Sequence, residues 1–484
     1  MMTEPQPSPY VAAPAITDIS DFIADPVTGA HFPQPILRFR NDRAAAQVGL
    51  AGLDDEAWLQ HFGAFQPLPD NLPQPLALRY HGHQFRVYNP EIGDGRGFLF
   101  AQLRDDQGRL LDLGTKGSGT TPYSRFGDGR LTLKGAMREI LATEMLEALG
   151  VNTSRTFSVI ETGEALERND EPSPTRGAVL VRLSHGHIRI GSFQRLAALQ
   201  DLPNLQRLTA YALKHYYGEE AGDDAPRRLL AHVTAGCARL AASYMAAGFV
   251  HGVLNSDNIN ITAESFDYGP WRFTPKWEAG FTAAYFDHAG LYAFGRQPEA
   301  IHWDVVQLAQ CLALYADQDA LRAALDLFGP VYRQALADQM LWRLGVHPRG
   351  LESDLALVAA IEAALVASGV EIDRFFFDWR GGQLRGNVFL QKQESSAEQT
   401  TGLLPAQEHR TLYDHAAFAN FRALIGDYEA SAPLAHPYWA DAEPCSMHID
   451  EVEAIWSRIA EADDWSALHA KIDAIRRLGA ALSS

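Results

Sequence analysis

The stretch that decides the fold prediction is GFVHGVLNSDNINITAESFDYGP, at residues 248–270. Asn258 and Asp267 bracket the segment INITAESF, and both offer the hard oxygen atoms that Mg²⁺ prefers. A hairpin within this segment would bring the two side chains together. Alternation in NINIT would then turn Ile259 and Ile261 toward the core and leave Asn260 outside. Each polar residue alone is an ordinary turn cap, but the pair in this spacing favours a metal site.

The same stretch has the spacing of a protein-kinase catalytic loop that lacks one acid. That loop has the form His-Arg-Asp, four further residues and Asn, and an Asp-Phe-Gly-like turn then holds magnesium. His251 and Asn258 keep the seven-residue spacing, but Val253 occupies the place of the catalytic Asp. Asp257 instead directly precedes Asn258. The pattern is typical of either an inactive kinase or a site with different chemistry.

Outward from this stretch, a strand-rich half is followed by a helical half. FLFAQL and RLLDLGTKG flank the turn RDDQG, which predicts a hairpin over 98–117. Three- and four-residue apolar steps predict a helix over 132–150, with Thr132 as its N-cap and Gly150 at its end. Strands follow in RTFSVIET and GAVLVRLS, and the pattern is mostly helical beyond 190. We therefore predict an α+β, bilobal protein-kinase-like fold with a helical C-terminal extension.

Four segments follow from this order. Residues 1–75 form an N-terminal extension on the body, and 76–193 form the strand-rich N-lobe. Residues 194–330 form the helical C-lobe with the catalytic loop, and 331–484 form the helical extension. The nucleotide is expected in the cleft between the lobes.

Composition excludes several classes of function. The net charge of −19 over 484 residues argues against a nucleic-acid-coating surface, although a cationic pocket remains compatible with it. The most apolar window, 355–370, contains Glu362 and is too short to span a membrane, so it predicts a buried helix. The start has no signal-peptide pattern, and three scattered cysteines are typical of a reducing compartment. We expect a cytoplasmic protein.

Several cationic and glycine-rich positions lie upstream of the catalytic loop. Lys116 ends a predicted strand and Glu139 lies on the next helix, as in the Lys–Glu pair of kinase-like folds. The runs IGDGRGF at 92–98 and FGDGR at 126–130 could bring backbone N–H groups close to phosphate. Arg182 and Arg189 could join Lys116 in a clamp on a polyphosphate. Taken singly, each of these is more often a turn or a surface ion pair.

Taken together, these stretches resemble the selenoprotein O family, also called the YdiU family. The similarity covers about residues 80–310. It is carried by YHGHQFRVYNPEIGDGRGFLFAQL (80–103), LDLGTKGSGTTPYSRFGDGRLTLKGAMREIL (111–141), IRIGSF (188–193), HGVLNSDNINI with DYGP (251–270) and DHAGLYAFGRQP (287–298).

The resemblance implies a kinase-like fold that binds ATP in reversed orientation and transfers AMP to hydroxyl groups of proteins. It implies Asp257 as the general base, Asn258 and Asp267 as metal ligands, and Glu139 as the supporting helix residue. Asp267 also counts among the implied nucleotide contacts. The other positions implied to contact the nucleotide are Gly93, Gly95, Arg96, Lys116, Asp128, Gly129, Arg182 and Arg189.

The predicted function is therefore a Mg²⁺-dependent protein nucleotidyltransferase with ATP and proteins bearing Ser, Thr or Tyr as partners, and with no nucleic acid or membrane partner. Three alternatives stay open at this point. One is UMP transfer with Mn²⁺, another a conventional protein kinase, and the third a non-catalytic scaffold that binds nucleotide. A kinase would need a base near residue 253, and Val253 cannot serve as one.

Overall fold

The computed structural model describes residues 9–169, 171–385, 412–431 and 434–484. Within them, the first half of the chain forms a mixed layer of strands and helices, and the second half is helical. The α+β architecture predicted from the sequence is confirmed, with the strand-rich part preceding the helical part.

An eight-stranded sheet forms the N-terminal half of the described chain. Its main path runs β1-β3-β6-β7-β10-β9-β2, and β8 pairs with β10 beside it. The two short hairpin strands β4 and β5 pair only with each other, and β11 pairs with β12. The strands are β1 (Ala24–Pro26), β2 (Ile36–Arg40), β3 (Leu76–Leu78), β4 (Gly82–Gln84), β5 (Val87–Asn89), β6 (Leu99–Arg104), β7 (Leu110–Lys116), β8 (Leu131–Thr132), β9 (Arg155–Leu166), β10 (Thr175–Ser184), β11 (Phe249–Val250) and β12 (Arg272–Phe273).

The centre of this sheet positions the predicted cations. β6 and β7 are antiparallel, as the sequence predicts for 98–117, and every residue of β7 is buried. β10 lies on the other side of β7, with Leu180 opposite Lys116 and Arg182 opposite Gly114. Lys116 and Arg182 therefore lie two register positions apart on paired strands, as diagonal neighbours on the same face of the sheet.

Strands from the first 75 residues belong to the same sheet. β1 pairs with β3, and β2 pairs with β9 at the opposite end of the path. Helix α3 packs its buried Trp58 and Phe62 on the sheet side chain Phe157. The N-terminal segment thus closes both edges of the sheet that carries Lys116.

Helix α4 crosses the sheet and carries Glu139. It runs over Leu133–Ala148, and the Thr132 side chain accepts a hydrogen bond from the Gly135 backbone N–H at 3.1 Å. This is the N-cap predicted from the sequence. Gly150 follows with a φ of 75°, which a glycine adopts without steric cost.

The remaining described helices form the C-terminal half and its extension. Helix α7 ends at Gly248, which is in the left-handed conformation, and the predicted catalytic loop follows. The described helices are α1 (Ser20–Ile23), α2 (Asp42–Gln47), α3 (Asp55–Phe62), α4 (Leu133–Ala148), α5 (Ile190–Ala198), α6 (Leu202–Tyr217), α7 (Ala225–Ala247), α8 (Gln297–Leu312), α9 (Gln318–Leu325), α10 (Phe328–Leu344), α11 (Leu351–Ser368), α12 (Ile372–Asp378), α13 (Ala419–Ile425), α14 (Ile449–Ala462) and α15 (Ser466–Leu482).

Three local predictions from the sequence are wrong. Asn260 is 1% exposed rather than outside, because its Nδ2 donates a hydrogen bond to the Gly186 carbonyl. The segment 259–266 forms isolated bridges to residues near 153 and 189 and no hairpin of its own, since it packs against the rest of the core. Helix α11 is also not fully buried, and Val366 on its outer face is 59% exposed.

No helix in the described part of the chain combines the length and apolarity needed to cross a bilayer. The same residues form a large core that extends through both halves, with Met145 of α4 and Ile475 of α15 in one cluster.

Candidate active site

A cavity of about 690 Å³ lies at the end of the central strands. Seven cationic and five acidic side chains line it, so it is locally cationic in a protein of net charge −19. Its lining includes every predicted nucleotide contact and the predicted base, namely Gly93, Gly95, Arg96, Lys116, Asp128, Gly129, Arg182, Arg189, Asp257 and Asp267. Glu139 and Asn258 are not among the lining residues.

Lys116 connects the two predicted functional carboxylates. Its Nζ donates to Glu139 Oε1 and lies 2.8 Å from Asp267 Oδ1. Lys116 and Glu139 are 4% and 2% exposed, so the pair is held away from water. A charge-assisted bond of this kind fixes the flexible lysine stem in one direction. The Lys–Glu arrangement predicted from spacing is present in the structure.

Asp267 is the most strongly perturbed acid of the site. Burial by itself would raise its pKa, but the charges of Lys116, Arg182, Arg189 and Arg96 hold the pKa well below the usual value. Its φ of 63° is rare for a residue with a side chain. The carboxylate is therefore ionised at neutral pH and set in a strained turn that faces the cationic groups.

Arg182 and Arg189 flank the ring of Phe266 beneath the cavity. Their Cζ atoms lie 5.4 and 4.9 Å from the ring centre. Within the described residues, the Nε and Nη1 of Arg182 and the Nε of Arg189 find no hydrogen-bond partner, although both side chains are buried. The Nη1 of Arg182 has only a long ion-pair contact, 3.8 Å from Asp267 Oδ1. Buried guanidinium N–H groups left unpaired are costly. An anion in the cavity would satisfy them.

Arg189 is also anchored to the predicted catalytic loop. Its Nη1 donates to the Asp257 carbonyl at 3.1 Å, and its Nη2 donates to Asp94 Oδ1 at 3.2 Å. Burial would lower the pKa of Arg189, but the facing Tyr80 hydroxyl and the carboxylates of Asp94, Asp267 and Asp257 raise it. The guanidinium is therefore permanently charged beside Asp257.

Asp257 lies in a one-turn 3₁₀ helix, Ser256–Asn258, that the β4–β5 hairpin holds in place. His83 N donates to Ser256 Oγ at 2.7 Å, and Phe85 N donates to Asn255 Oδ1 at 3.0 Å. Burial raises the pKa of Asp257 to about 6, against the opposing effect of Arg189. Its Oδ1 has no hydrogen-bond partner among the described residues.

Asn258 and Asp267 each offer a hard oxygen atom of the kind that a divalent cation prefers. Asn258 Nδ2 donates to the Val253 carbonyl at 3.0 Å, which leaves its carbonyl oxygen as the atom suited to a metal. The described residues contain no group of three or more His, Cys, Asp and Glu side chains that could hold a metal ion. One carboxylate and one amide oxygen match Mg²⁺ or Mn²⁺, which commonly completes its shell with phosphate oxygens and water.

Three of the four glycines in the two Gly-Asp-Gly-Arg runs are required by packing. A Cβ on Gly93 would lie 2.4 Å from the Tyr123 ring, and one on Gly95 would lie 2.9 Å from the Tyr123 carbonyl oxygen. Gly129 has a φ of 69°, and a Cβ there would lie 2.2 Å from the Gly119 backbone. Asp128 pairs with Arg168 at 2.8 Å, so it stabilises the loop at the rim.

Sequence reasoning missed several residues of the cavity. Asp94 accepts from Leu78 N at 3.0 Å as well as from Arg189, and so fixes the first glycine loop. Arg168 comes from a polar loop that carried no motif. The other cations and aromatic residues of the lining that were not predicted are Tyr80, Tyr123, Arg125, Phe126 and Arg130. Arg125 and Phe126 lie inside the run 111–141, which carries the family resemblance. That run was the signal by which they could have been identified from the sequence.

Comparison with known proteins identifies the family. The family model described as "Protein adenylyltransferase SelO" matches residues 10–476. The chain belongs to the SelO family. The match extends the similarity from about 80–310, seen in the sequence, to nearly the whole chain, C-terminal helices included.

Curated relatives agree with this assignment. A "Protein nucleotidyltransferase YdiU" of Synechococcus elongatus is 40% identical over 98% of this chain and 97% of its own length. The protein of the same name from Synechocystis sp. is 40% identical over 93% and 95%. The one from Pseudomonas aeruginosa is 36% identical over 74% and 72%. This SelO-family chain is accordingly a protein nucleotidyltransferase.

Proposed function

We propose that this enzyme transfers AMP from ATP to Ser, Thr or Tyr hydroxyl groups of proteins, with the triphosphate entering the cavity tail-first. The observation that carries the proposal is that three buried cationic side chains, Lys116, Arg182 and Arg189, line one cavity. Both arginines have guanidinium N–H groups without a hydrogen-bond partner among the described residues. Such groups suit the β- and γ-phosphates better than any other part of ATP.

Reversed entry places the α-phosphorus on the side of the catalytic loop. The acceptor hydroxyl oxygen attacks that phosphorus, and the bond from it to the oxygen bridging to the β-phosphate breaks. The hydroxyl proton passes to Asp257, which has an unpaired carboxylate oxygen, and pyrophosphate leaves. Lys116, Arg182 and Arg189 stabilise the negative charge that grows on pyrophosphate.

Asn258 and Asp267 would hold Mg²⁺ or Mn²⁺, which neutralises charge on phosphate oxygens when bound. Asp267 lies 2.8 Å from Lys116, and this position supports the role. A cation held by Asp267 and the ammonium group of Lys116 would both lie close to the phosphate oxygens. Glu139 keeps Lys116 directed toward them. Arg96, Asp128 and the glycines Gly93, Gly95 and Gly129 would shape the loops around the nucleotide.

The decisive test uses ATP labelled at either the α- or the γ-phosphorus, incubated with the enzyme, Mg²⁺ and an acceptor protein. We expect label in protein from the α-position only. A conventional kinase would transfer the γ-label. Labelling from the γ-position alone would therefore refute the proposal.

Intact-mass spectrometry separates the remaining alternatives. We expect a gain of one adenylate per modified site with ATP, abolished by Asp267→Ala. A preference for UTP in the presence of Mn²⁺ would instead indicate UMP transfer. A scaffold that only binds nucleotide would show no covalent gain with either nucleotide.

A further inference from the structure

The C-terminal helices α14 and α15 pack on α4, the helix that carries Glu139. Arg476 of α15 makes two hydrogen bonds to Glu144, from Nε at 2.8 Å and from Nη2 at 2.7 Å. The Glu144 side chain is only 3% exposed and that of Arg476 is 30% exposed, so the carboxylate is shielded from solvent and the guanidinium is partly open to it. A Cβ on Gly479 would lie 3.3 Å from Ala148 Cα, so the two helix backbones approach closely at the end of α4.

A second set of contacts holds the beginning of α4. Lys134 Nζ donates to Glu453 Oε2 of α14 at 2.7 Å, and Arg138 Nη1 lies 3.9 Å from the other oxygen of the same carboxylate. Arg138 is the neighbour of Glu139, and its Nη2 donates to the Trp271 carbonyl at 2.9 Å. Trp271 follows Asp267 by four residues. The beginning of α4 is thus connected to both the extension and the chain beyond Asp267.

The two C-terminal helices are themselves fixed to the rest of the molecule. Asp463, at the end of α14, pairs with Arg176 of β10 at 2.7 Å and with Arg38 of β2 at 3.1 Å. Arg380 donates to the Leu482 carbonyl at 3.2 Å, at the end of α15. The extension therefore connects the sheet, α4 and the helical half.

We propose that this extension holds α4 where Glu139 pairs with Lys116, with Arg476 as a positioning residue. In kinase-like folds the strand Lys and helix Glu must be paired for activity, and the position of the helix controls the pairing. Glu139 precedes Glu144 by five residues, about 7.5 Å along a rigid helix. The proposal rests on the proposed function for its catalytic consequence, since Lys116 acts there on the triphosphate.

The test is a double-mutant cycle on ATP binding, measured by calorimetry on the full chain with Mg²⁺ present. Arg476→Ala removes both bonds to Glu144. Arg477→Ala is the matched control, because its guanidinium pairs instead with Asp441 at 2.6 Å and is 43% exposed. Each is made alone and combined with Lys116→Ala, and melting temperatures are recorded for all variants.

We expect Arg476→Ala to weaken ATP binding about tenfold in the native background and less than twofold once Lys116 is absent, because its effect passes through that lysine. Arg477→Ala is expected to change affinity less than twofold in both. An equal loss in the two backgrounds, or no loss at all, would overturn the proposal, since general destabilisation does not depend on Lys116.

Glu453→Gln provides a second, milder variant if Arg476→Ala folds poorly, because the Glu453 side chain is 44% exposed. We expect about a threefold loss of ATP affinity that disappears with Lys116→Ala. An undiminished loss in that background contradicts the proposal. The cycle measures ATP binding alone and does not depend on transfer. Absence of adenylate transfer by the native enzyme would therefore refute the proposed function without affecting the test of how α4 is held.

Discussion

Asp257 is the residue on which the proposed chemistry depends. It is buried in a one-turn helix, and its side-chain Oδ1 has no hydrogen-bond partner among the described residues. The polar contacts of its loop come instead from Asn255 and Ser256, which the β4–β5 hairpin fixes. The proposed base is therefore positioned by its neighbours, while its own oxygen stays available to a proton.

We expect Asp257→Asn to lower the rate of AMP transfer by about 10²- to 10⁴-fold, because an amide cannot accept the hydroxyl proton. ATP affinity should change little, since Lys116, Arg182 and Arg189 remain. Single-turnover transfer assays and calorimetry measure the two quantities separately. Full activity of the variant would show that another group acts as the base.

Glu264 is a buried acid outside the proposed reaction. Its pKa is raised to about 7, chiefly by burial, with the His185 backbone N–H and the charges of Arg155 and Arg109 opposing and Asp112 adding to the rise. The folded state thus binds this proton more tightly than the unfolded state. Stability from this group is present at low pH and declines as the pH rises from about 4.5 through about 7.

We expect Glu264→Gln to increase the free energy of unfolding by about 1–3 kcal/mol at pH 8.5 and by much less near pH 5. The neutral amide avoids burying a charge, and its oxygen can still accept from His185 N, which the carboxylate does at 2.7 Å. Urea unfolding at the two pH values measures the difference. A gain of equal size at both would contradict the assigned protonation.

At the scale of elements, the site depends on loops that only glycine can form. Gly129 combines a φ of 69° with a backbone neighbour 2.2 Å from where a Cβ would lie. Gly269, directly after the Asp267–Tyr268 turn, has nothing within 4 Å of such a Cβ. The two glycines therefore differ in whether their backbone requires glycine.

We expect Gly129→Ala to weaken ATP binding at least tenfold, because the methyl group forces the rim of the cavity to move. Gly269→Ala is the matched control and should change ATP affinity less than twofold. Calorimetric titration of both variants makes the comparison. If Gly129→Ala bound ATP as tightly as Gly269→Ala, the 126–130 loop would not contact the nucleotide.

At the scale of the whole molecule, the two halves share one core. Met145 and Leu149 of the N-terminal half belong to the same cluster as Ile475 and Leu478 of α15. The C-terminal helices are thus part of the body that forms the site. This arrangement predicts that the sheet and the helical extension lose their structure together.

We expect Ile475→Ala to lower the free energy of unfolding by about 2–5 kcal/mol, because Ile475 is fully buried and its truncation leaves a cavity. Val366→Ala, at a side chain that is 59% exposed, should cost less than about 0.5 kcal/mol. Chemical unfolding followed by circular dichroism and tryptophan fluorescence gives both values. Two separate transitions, with only one shifted by Ile475→Ala, would contradict the shared core.

The sequence by itself determined the features whose physical cause is local. Strand alternation, the Thr132 cap and the His251–Asn258 spacing depend on near neighbours, so they predicted the β6–β7 hairpin, α4 and the catalytic loop. The Lys116–Glu139 pair also followed, because one strand and the next helix fix where those side chains can meet.

Only the tertiary structure decided what depends on distant parts of the chain. The burial of Asn260 follows from a bond to Gly186, and the anchoring of Arg189 follows from Asp94. The position of α4 involves Arg476, more than 300 residues further along. Such contacts carry no local signal, because packing and charge complementarity arise only once remote segments are brought together.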